Sequence, residues 1–416
     1  MIMQRPIPTR EESRMNALQP AYLVDARRTP IGRYGRSFAS VRPDDLAATV
    51  LADLRARHPE AVDQLDQVIL GATNQAGEDN RNVARMASLL AGLPYQVPGV
   101  TVNRLCGSGL EAVTDAVMRI WTGDAELAIA GGVESMSRAP FTYGKAPNAY
   151  DRVAPTVYDT TIGWRYPNPK MAERFPLDSM GLTAENVAEK WEITREQQDA
   201  FALESQVRAS AAMDAGAFAA EIVPVDVPGR KGAIIRVEHD ESPRPDSTME
   251  GLAKLSPVFK KGGTVTAGNS SPINDGAAAL LIASEAAVER YGLTPMARVV
   301  SFATAGVHPS LMGEGPIPAS QRALTRAGWT VDDLELVELN EAFGAQSLAC
   351  IRGLNLDPSM VNIRGGALAL GHPIGASGAR ILVTLAHAMQ QTGAARGLAA
   401  LCIGVGQGIA MTVERV

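Results

Sequence analysis

One pattern occurs twice in this chain. Around Cys106 the apolar "GVTVNRL" gives way to "GSG" at Gly107 to Gly109, an amphipathic stretch of helix length follows, and the apolar "AELAIAGG" then ends in glycines. Near the C-terminus "ASG" at Ala376 to Gly378 leads into a stretch of similar length and into "LAALCIGVG". In each half a glycine turn feeds a helix that feeds a buried strand, so the chain reads as a duplicated α/β unit whose two turns meet at a shared centre. Glycine turns recur throughout α/β folds, so the repeat restricts the architecture and leaves the chemistry open.

The flanking sequence keeps the same alternation, with "AYLVDA", "DDLAATVLADLRAR" and "LDQVILGA" in the first half and "ARVVSFATAG", "PASQRALTRAG" and "LELVELNEAF" in the second. Short apolar runs alternating with helices imply the α/β class, with a largely parallel sheet covered on both faces. Between about 138 and 273 the texture turns to Pro, Tyr, Trp and charge ("SRAPFTYGKAPNAYDRVAP", "RYPNPKM", "ESPRPDST"), with helical patterns near Ala184 to Lys190 and Arg195 to Ala215. The expected organisation is therefore an N-terminal half at 21–137 with 274–295, an inserted loop domain at 138–273, and a C-terminal half at 296–416.

Composition excludes several function classes. The 416 residues are 46% hydrophobic and 20% charged, enough to bury a substantial core. Net charge is −6 with no run of Lys or Arg, which gives no footprint for nucleic acid or an anionic membrane. The apolar stretches are too short to span a bilayer. Residues 1–20 mix Arg, Pro and Glu without the apolar centre of a secretory signal, so a disordered tail on a cytoplasmic protein is expected. The three cysteines, Cys106, Cys350 and Cys402, lie far apart without C-x-x-C spacing, against a disulfide framework or a metal site.

Four blocks can carry chemistry. Cys106 stands at the start of a helix, where free N–H groups and the helix dipole favour a thiolate at neutral pH; cysteine is equally at home as a packed residue. "GSGLEA" also fits a dinucleotide-binding turn, but the following strand closes on Gly131 and Gly132, with Glu134 displaced beyond the place of the acidic residue such a turn requires. In "GGALALGHPIGASGAR", His372 lies between glycines in a shaped loop, positioned either to take a proton from a thiol or to cap local backbone. Cys402 ends an apolar strand and runs into Gly404, Gly406 and Gly408, so it either exchanges a proton beside an oxyanion hole or simply packs. In "LNEAFGAQ", Asn340 can hold a water or a carbonyl, while Glu341 reads equally as a solvated charge at a helix start. Cys350, within the helix that follows, reads as packing.

These four blocks in this order resemble the thiolase superfamily, over nearly the whole chain from Ala21 to Val416. The resemblance implies two similar α/β halves forming a five-layered αβαβα core with an inserted loop domain. It implies that Cys106 in "NRLCGSG" is the acyl-accepting nucleophile, that His372 in "GHPIGASG" is its base, and that Cys402 in "CIGVG" is the acid/base for the second substrate. Asn340 in "NEAF" would fix a water in one oxyanion hole with His372, and the N–H groups of Cys106 and Gly404 would form the other. Contacts to coenzyme A would fall at Met180, Arg244, Ala267, Ser271 and Phe343. The implied reaction is ping-pong cleavage of a 3-oxoacyl-CoA by coenzyme A, a co-substrate, with no prosthetic group and no metal. Acyl-CoA and coenzyme A are the implied small-molecule partners, and a homodimer or homotetramer is the implied assembly.

Within that family, "GATNQAGEDNRNVARMA", "DTTIGWRYPNPKM" and "SPRPDST" resemble the 3-oxoadipyl-CoA thiolases of aromatic degradation. Ala376, Arg364 and "NSSPIND" depart from the residues usual at those places. The alternatives are a fatty-acid 3-ketoacyl-CoA or acetoacetyl-CoA thiolase and a non-catalytic acyl-CoA or lipid-binding relative. A distal carboxylate on the acyl group would need a cation, for which Arg165 in the insertion is the candidate; bracing the loop is its other reading.

Overall fold

The computed structural model describes residues 18–146, 148–150 and 152–416. The tail expected at 1–20 lies, except for its last three residues, outside them. One ten-stranded sheet dominates the described residues. Its main strands are β1 (Ala21–Arg28), β2 (Gln67–Gly71), β3 (Gly99–Val102), β4 (Leu127–Ser135), β5 (Asn274–Ser284), β6 (Ala297–Gly306), β7 (Leu336–Leu339), β8 (Arg396–Ile403) and β9 (Gln407–Arg415). They run in the order β7-β8-β9-β6-β1-β5-β4-β2-β3. All eleven residues of β5 and all nine of β4 are buried, the signature of strands covered on both faces.

The order exposes the duplication. In the N-terminal half β3, β2, β4, β5 and β1 succeed one another; in the C-terminal half β7, β8, β9 and β6 repeat the last four, and a bridge from Val337 to Val361 stands where β3 does. The halves join edge to edge through β1 and β6, at Tyr22 opposite Arg298 and Leu23 opposite Ala297. Helices α1 (Pro43–Arg57), α2 (Ser108–Thr122), α3 (Met180–Lys190), α4 (Arg195–Asp214), α5 (Pro316–Ala327), α6 (Gly344–Leu354) and α7 (Ile374–Thr392) complete the elements used below. Helices α2 and α7 pack on each other between the half-sheets, while α1 and α5 cover the outer faces, which makes five layers. Every residue of α7 from Gly375 to Met389 is buried, as a helix at the centre of a large core requires.

The contact between α2 and α7 is made by the repeated turns. A Cβ on Gly109 would stand 2.6 Å from the backbone nitrogen of Ala379, and one on Gly378 would stand 2.4 Å from that of Leu110. Only glycine lets the two backbones approach so closely. Cys106 and His372 each stand two residues before the helices that meet there.

The expectation of a largely parallel sheet is corrected. Along the sheet β2 with β3, β2 with β4, and β7 with β8 are parallel, and the five other junctions are antiparallel. The reason lies at the end of each half, where two strands follow one another without a crossover helix between them. In the C-terminal half β8 and β9 are joined by the turn Gly404 to Gly406. In the N-terminal half the same junction, β4 to β5, carries 136–273, with α3, α4 and the hairpins Phe141–Tyr143 with Val157–Asp159 and Val225–Pro228 with Ile234–Val237. No helix of the described residues is long and apolar enough to cross a membrane.

Candidate active site

Cys106 is placed by a turn that side chains hold in shape. Asn103 Oδ1 accepts from the Leu105 N–H at 2.9 Å, and Ser108 Oγ accepts from the Arg104 N–H at 2.8 Å while donating to the Leu105 carbonyl at 2.7 Å. Leu105 is thereby kept at φ 48°, a conformation that costs a bulky L-residue about 1–3 kcal/mol. The thiol sits one residue ahead of the Gly107 N-cap, half-buried, and accepts from the backbone N–H of Gly404 and from its own. These are the two groups expected to form an oxyanion hole.

Burial pushes the Cys106 thiol up, and the charge of Glu134 adds to that; the two N–H groups only offset it. The expectation of a thiolate at rest is therefore corrected: desolvation outweighs the helix terminus, and Cys106 keeps its proton unless a base takes it.

His372 suits a base. Burial, with a smaller contribution from the Arg380 charge, lowers its pKa to about 4, so the ring is neutral near pH 7. Its Nδ1 lies 2.6 Å from Ser377 Oγ, which is 2.9 Å from the Pro373 carbonyl. A carbonyl only accepts, so the hydroxyl proton goes to Pro373 and Ser377 accepts from Nδ1–H; this leaves the lone pair on Nε2. The His372 backbone N–H donates to Asn274 Oδ1 at 3.0 Å, and the Asn274 amide in turn donates to Gly32 O and Ser242 Oγ, both at 2.9 Å.

Cys402, near the end of β8, is buried in a cluster with Ala184, Val265, Met312, Ala342 and Phe343, against which Met180 packs. Burial, with the nearby Cys106 and Cys350 thiols contributing, holds its pKa well above the ordinary value, so it keeps its proton at neutral pH. Cys350 is buried in α6 on the Gly313 carbonyl, its pKa pushed up to about 12 by burial, in keeping with a packing role. Asn340 is fully buried, and both polar atoms of its side chain lack a hydrogen-bond partner. A buried amide left open in this way is a site for water or ligand.

The expected coenzyme A contacts divide. Met180 and Phe343 line the Cys402 cluster, and Met180 Sδ would lie 3.5 Å from a Cβ on Gly404. Ser271 donates its N–H to the Ala342 carbonyl at 3.0 Å, and exposed Ala267 sits in the same loop, whose Asn269 carbonyl accepts from Gly344 N at 2.9 Å. Arg244 is exposed farther out, its N–H donating to Gln206 Oε1 at 2.8 Å and its carbonyl accepting from Ser247 Oγ at 2.8 Å. Arg165 is half-buried and donates to the Thr160 carbonyl at 3.4 Å.

Family models for the thiolase N-terminal domain and the thiolase C-terminal domain match residues 21–286 and 293–415. The chain belongs to the thiolase family. It is an acyltransferase. It is 57% identical, over 95% of its length and 99% of the relative, to the beta-ketoadipyl-CoA thiolase of Pseudomonas aeruginosa. It is 55% identical, over 96% of its length and 100% of the relative, to the 3-oxoadipyl-CoA/3-oxo-5,6-dehydrosuberyl-CoA thiolase of Escherichia coli K12. Among solved structures, the acetyl-CoA acetyltransferase of Bacillus anthracis superposes with a TM-score of 0.91 at 40% identity, covering 97% of this chain and 100% of that one. Human mitochondrial 3-ketoacyl-CoA thiolase in complex with CoA superposes at 0.89, also at 40% identity with 97% and 100% covered.

Other features of this thiolase were not read from its sequence. Glu341 is no solvated charge: it is buried, accepting from Ser205 Oγ at 2.7 Å, Asn362 Nδ2 at 2.8 Å and Leu368 N at 3.1 Å, and so ties the Asn340 loop to the segment leading into His372. Ser377 was findable, because its place five residues after His372 puts it in the first turn of α7. Glu134 and Asn274 lie far from their partners in sequence and give no local signal. Arg364 is buried and donates to Gln391 Oε1 at 2.6 Å near the far end of α7, so this departure from the family pattern braces the helix.

Proposed function

We propose that this thiolase cleaves 3-oxoadipyl-CoA with coenzyme A to give succinyl-CoA and acetyl-CoA. The observation that carries the catalytic part is the meeting of two thiols: Cys106 under two backbone N–H groups, and close enough to the buried Cys402 to help raise the pKa of that thiol. The substrate part is supported by the identity of more than half of the residues, end to end, to relatives that bear that substrate in their names.

In this reading His372 Nε2 takes the Cys106 proton as the sulfur adds to C3, and the oxyanion at C3 is met by the N–H groups of Cys106 and Gly404. The C2–C3 bond then breaks, its electron pair passes into the enolate of acetyl-CoA, and Cys402 supplies the proton to C2. A water on Asn340, with His372, stabilises the enolate oxygen. Cys402, now a thiolate, takes the proton of an incoming coenzyme A whose sulfur attacks the succinyl-Cys106 thioester. Cys106 leaves and recovers its proton from His372. Met180, Phe343, Ser271, Ala267 and Arg244 lie along the coenzyme A path, and Arg165 meets the distal carboxylate. The setting is a cytoplasmic dimer or tetramer.

The test follows loss of the enolate absorbance of 3-oxoadipyl-CoA and acetoacetyl-CoA on adding coenzyme A. Cleavage of both is expected to vanish in Cys106→Ser, and Arg165→Ala is expected to lower kcat/KM for 3-oxoadipyl-CoA by about 10- to 100-fold while sparing acetoacetyl-CoA. An unchanged ratio between the two substrates removes Arg165 from this role; no cleavage by the wild type removes the reaction.

A further inference from the structure

Helix α7, which follows His372 directly, does not cap itself. Its N-cap is Pro373, which has no side-chain acceptor, and Ser377 is engaged with His372 and the Pro373 carbonyl. The missing acceptor comes from the other half of the molecule. Glu134, in β4, is fully buried and places Oε2 2.8 Å from the Gly375 N–H, in the first turn of α7. The same carboxylate accepts from the Thr73 N–H at 3.1 Å, Thr73 Oγ1 at 2.6 Å and the Asn74 N–H at 3.1 Å. A Cβ on Gly375 would lie 2.5 Å from the Val133 carbonyl, 2.8 Å from Glu134 Oε2 and 2.9 Å from Ala72 Cα, so the turn is seated hard against this anchor.

We propose that Glu134 is a positioning residue for the Cys106–His372 pair: reaching from β4, it caps α7 through Gly375 and fixes the turn carrying His372 against 72–74. Three backbone N–H groups and one hydroxyl surround its two oxygens. The N–H groups only donate and so favour the carboxylate, against burial, which raises the pKa of Glu134. An ionised group at this position has a second consequence, because Glu134 is the charged residue acting on Cys106. Its charge adds to burial in keeping the proton on Cys106 until a base takes it. The other titratable group facing Glu134 is Asp79, a buried carboxyl raised to about 7 by burial and by Glu134 itself.

This inference rests on the thiolase reaction read above, and wild-type activity measured beside the variants separates failure of that reaction from failure of this role. Glu134→Gln keeps the shape of the side chain but turns an N–H donor toward one of the surrounding donors. The expected result is a folded protein whose kcat falls on the order of 100-fold with KM for the acyl-CoA within about threefold, as for a base displaced by a fraction of an ångström. The pH midpoint of Cys106 alkylation by iodoacetamide should also move to lower pH, since a like charge has been removed. A folded Glu134→Gln with wild-type kcat, or with an unmoved alkylation midpoint, overturns the proposal. Should Glu134→Gln fail to fold, Thr73→Val removes a single donor from the same clamp. A tenfold drop in kcat, the lower edge of the cost of losing a supporting hydrogen bond, is then expected with melting unchanged, and an unaltered kcat overturns the role.

Discussion

His372 is neutral at pH 7 because it is buried. Its folded pKa near 4 lies below the ordinary value of 6.5, so between those limits the unfolded chain binds a proton that the native protein does not. Stability then falls as the pH is lowered through this window and levels off below about pH 4. The span of about 2.5 units corresponds to about 3 kcal/mol from this residue alone. Urea unfolding followed from pH 7 to pH 4 should show a shallower decline in His372→Gln than in the wild type, and identical slopes would mean that the ring is already protonated when folded. At this scale the sequence pointed to candidates wherever a side chain sits among its own glycines, as with Cys106, His372 and Cys402. It was silent wherever the decisive contact is remote: Glu134 meets Gly375 across 241 positions, and the balance between desolvation and the helix terminus at Cys106 depends on how much protein covers the thiol.

Elements bring these residues together by crossing rather than by length. Helices α2 and α7 touch at Gly109 and Gly378, and each begins two residues after Cys106 or His372, so their spacing bears on the distance between those two side chains. A methyl group on Gly109 would meet backbone of α7 at 2.6 Å from Ala379 N, 3.0 Å from Gly375 O and 3.2 Å from Ala376 O, none of which can rotate away. Gly109→Ala is expected to lower the unfolding free energy by about 1–3 kcal/mol or more, read from the urea midpoint, and to reduce kcat with it. Wild-type stability would mean that the crossing is looser than the structure has it. The repeat that predicts this crossing was legible because "GSG" and "ASG" stand at equivalent places. The strand directions were not, because alternation of strand and helix reports that elements alternate and not which way a strand enters the sheet.

The whole molecule ends, on one side, in an open edge. Strand β3 pairs with β2 alone, and its other side is flanked by the helix Val83–Leu90, tied to it where Thr101 Oγ1 accepts from Ala84 N at 3.3 Å and Asn82 Nδ2 donates to Gly99 O at 2.7 Å. That helix turns Leu89 and Leu90 outward at 45% and 56% exposure, with Tyr95 beyond them at 74%. An unpaired strand beside exposed leucines and a tyrosine is a surface that a second copy related by a twofold axis can cover with the same residues, and the dimer or tetramer proposed above is expected to use it. Leu89→Glu with Leu90→Glu should therefore lower the molar mass measured by light scattering at micromolar concentration by half or more, relative to the wild type. Both side chains are largely exposed in the single chain, so the fold of the protomer, followed by circular dichroism, should persist. A variant that keeps the wild-type mass would move the interface to another face, and a wild type that already scatters as a single chain would leave this edge open in solution.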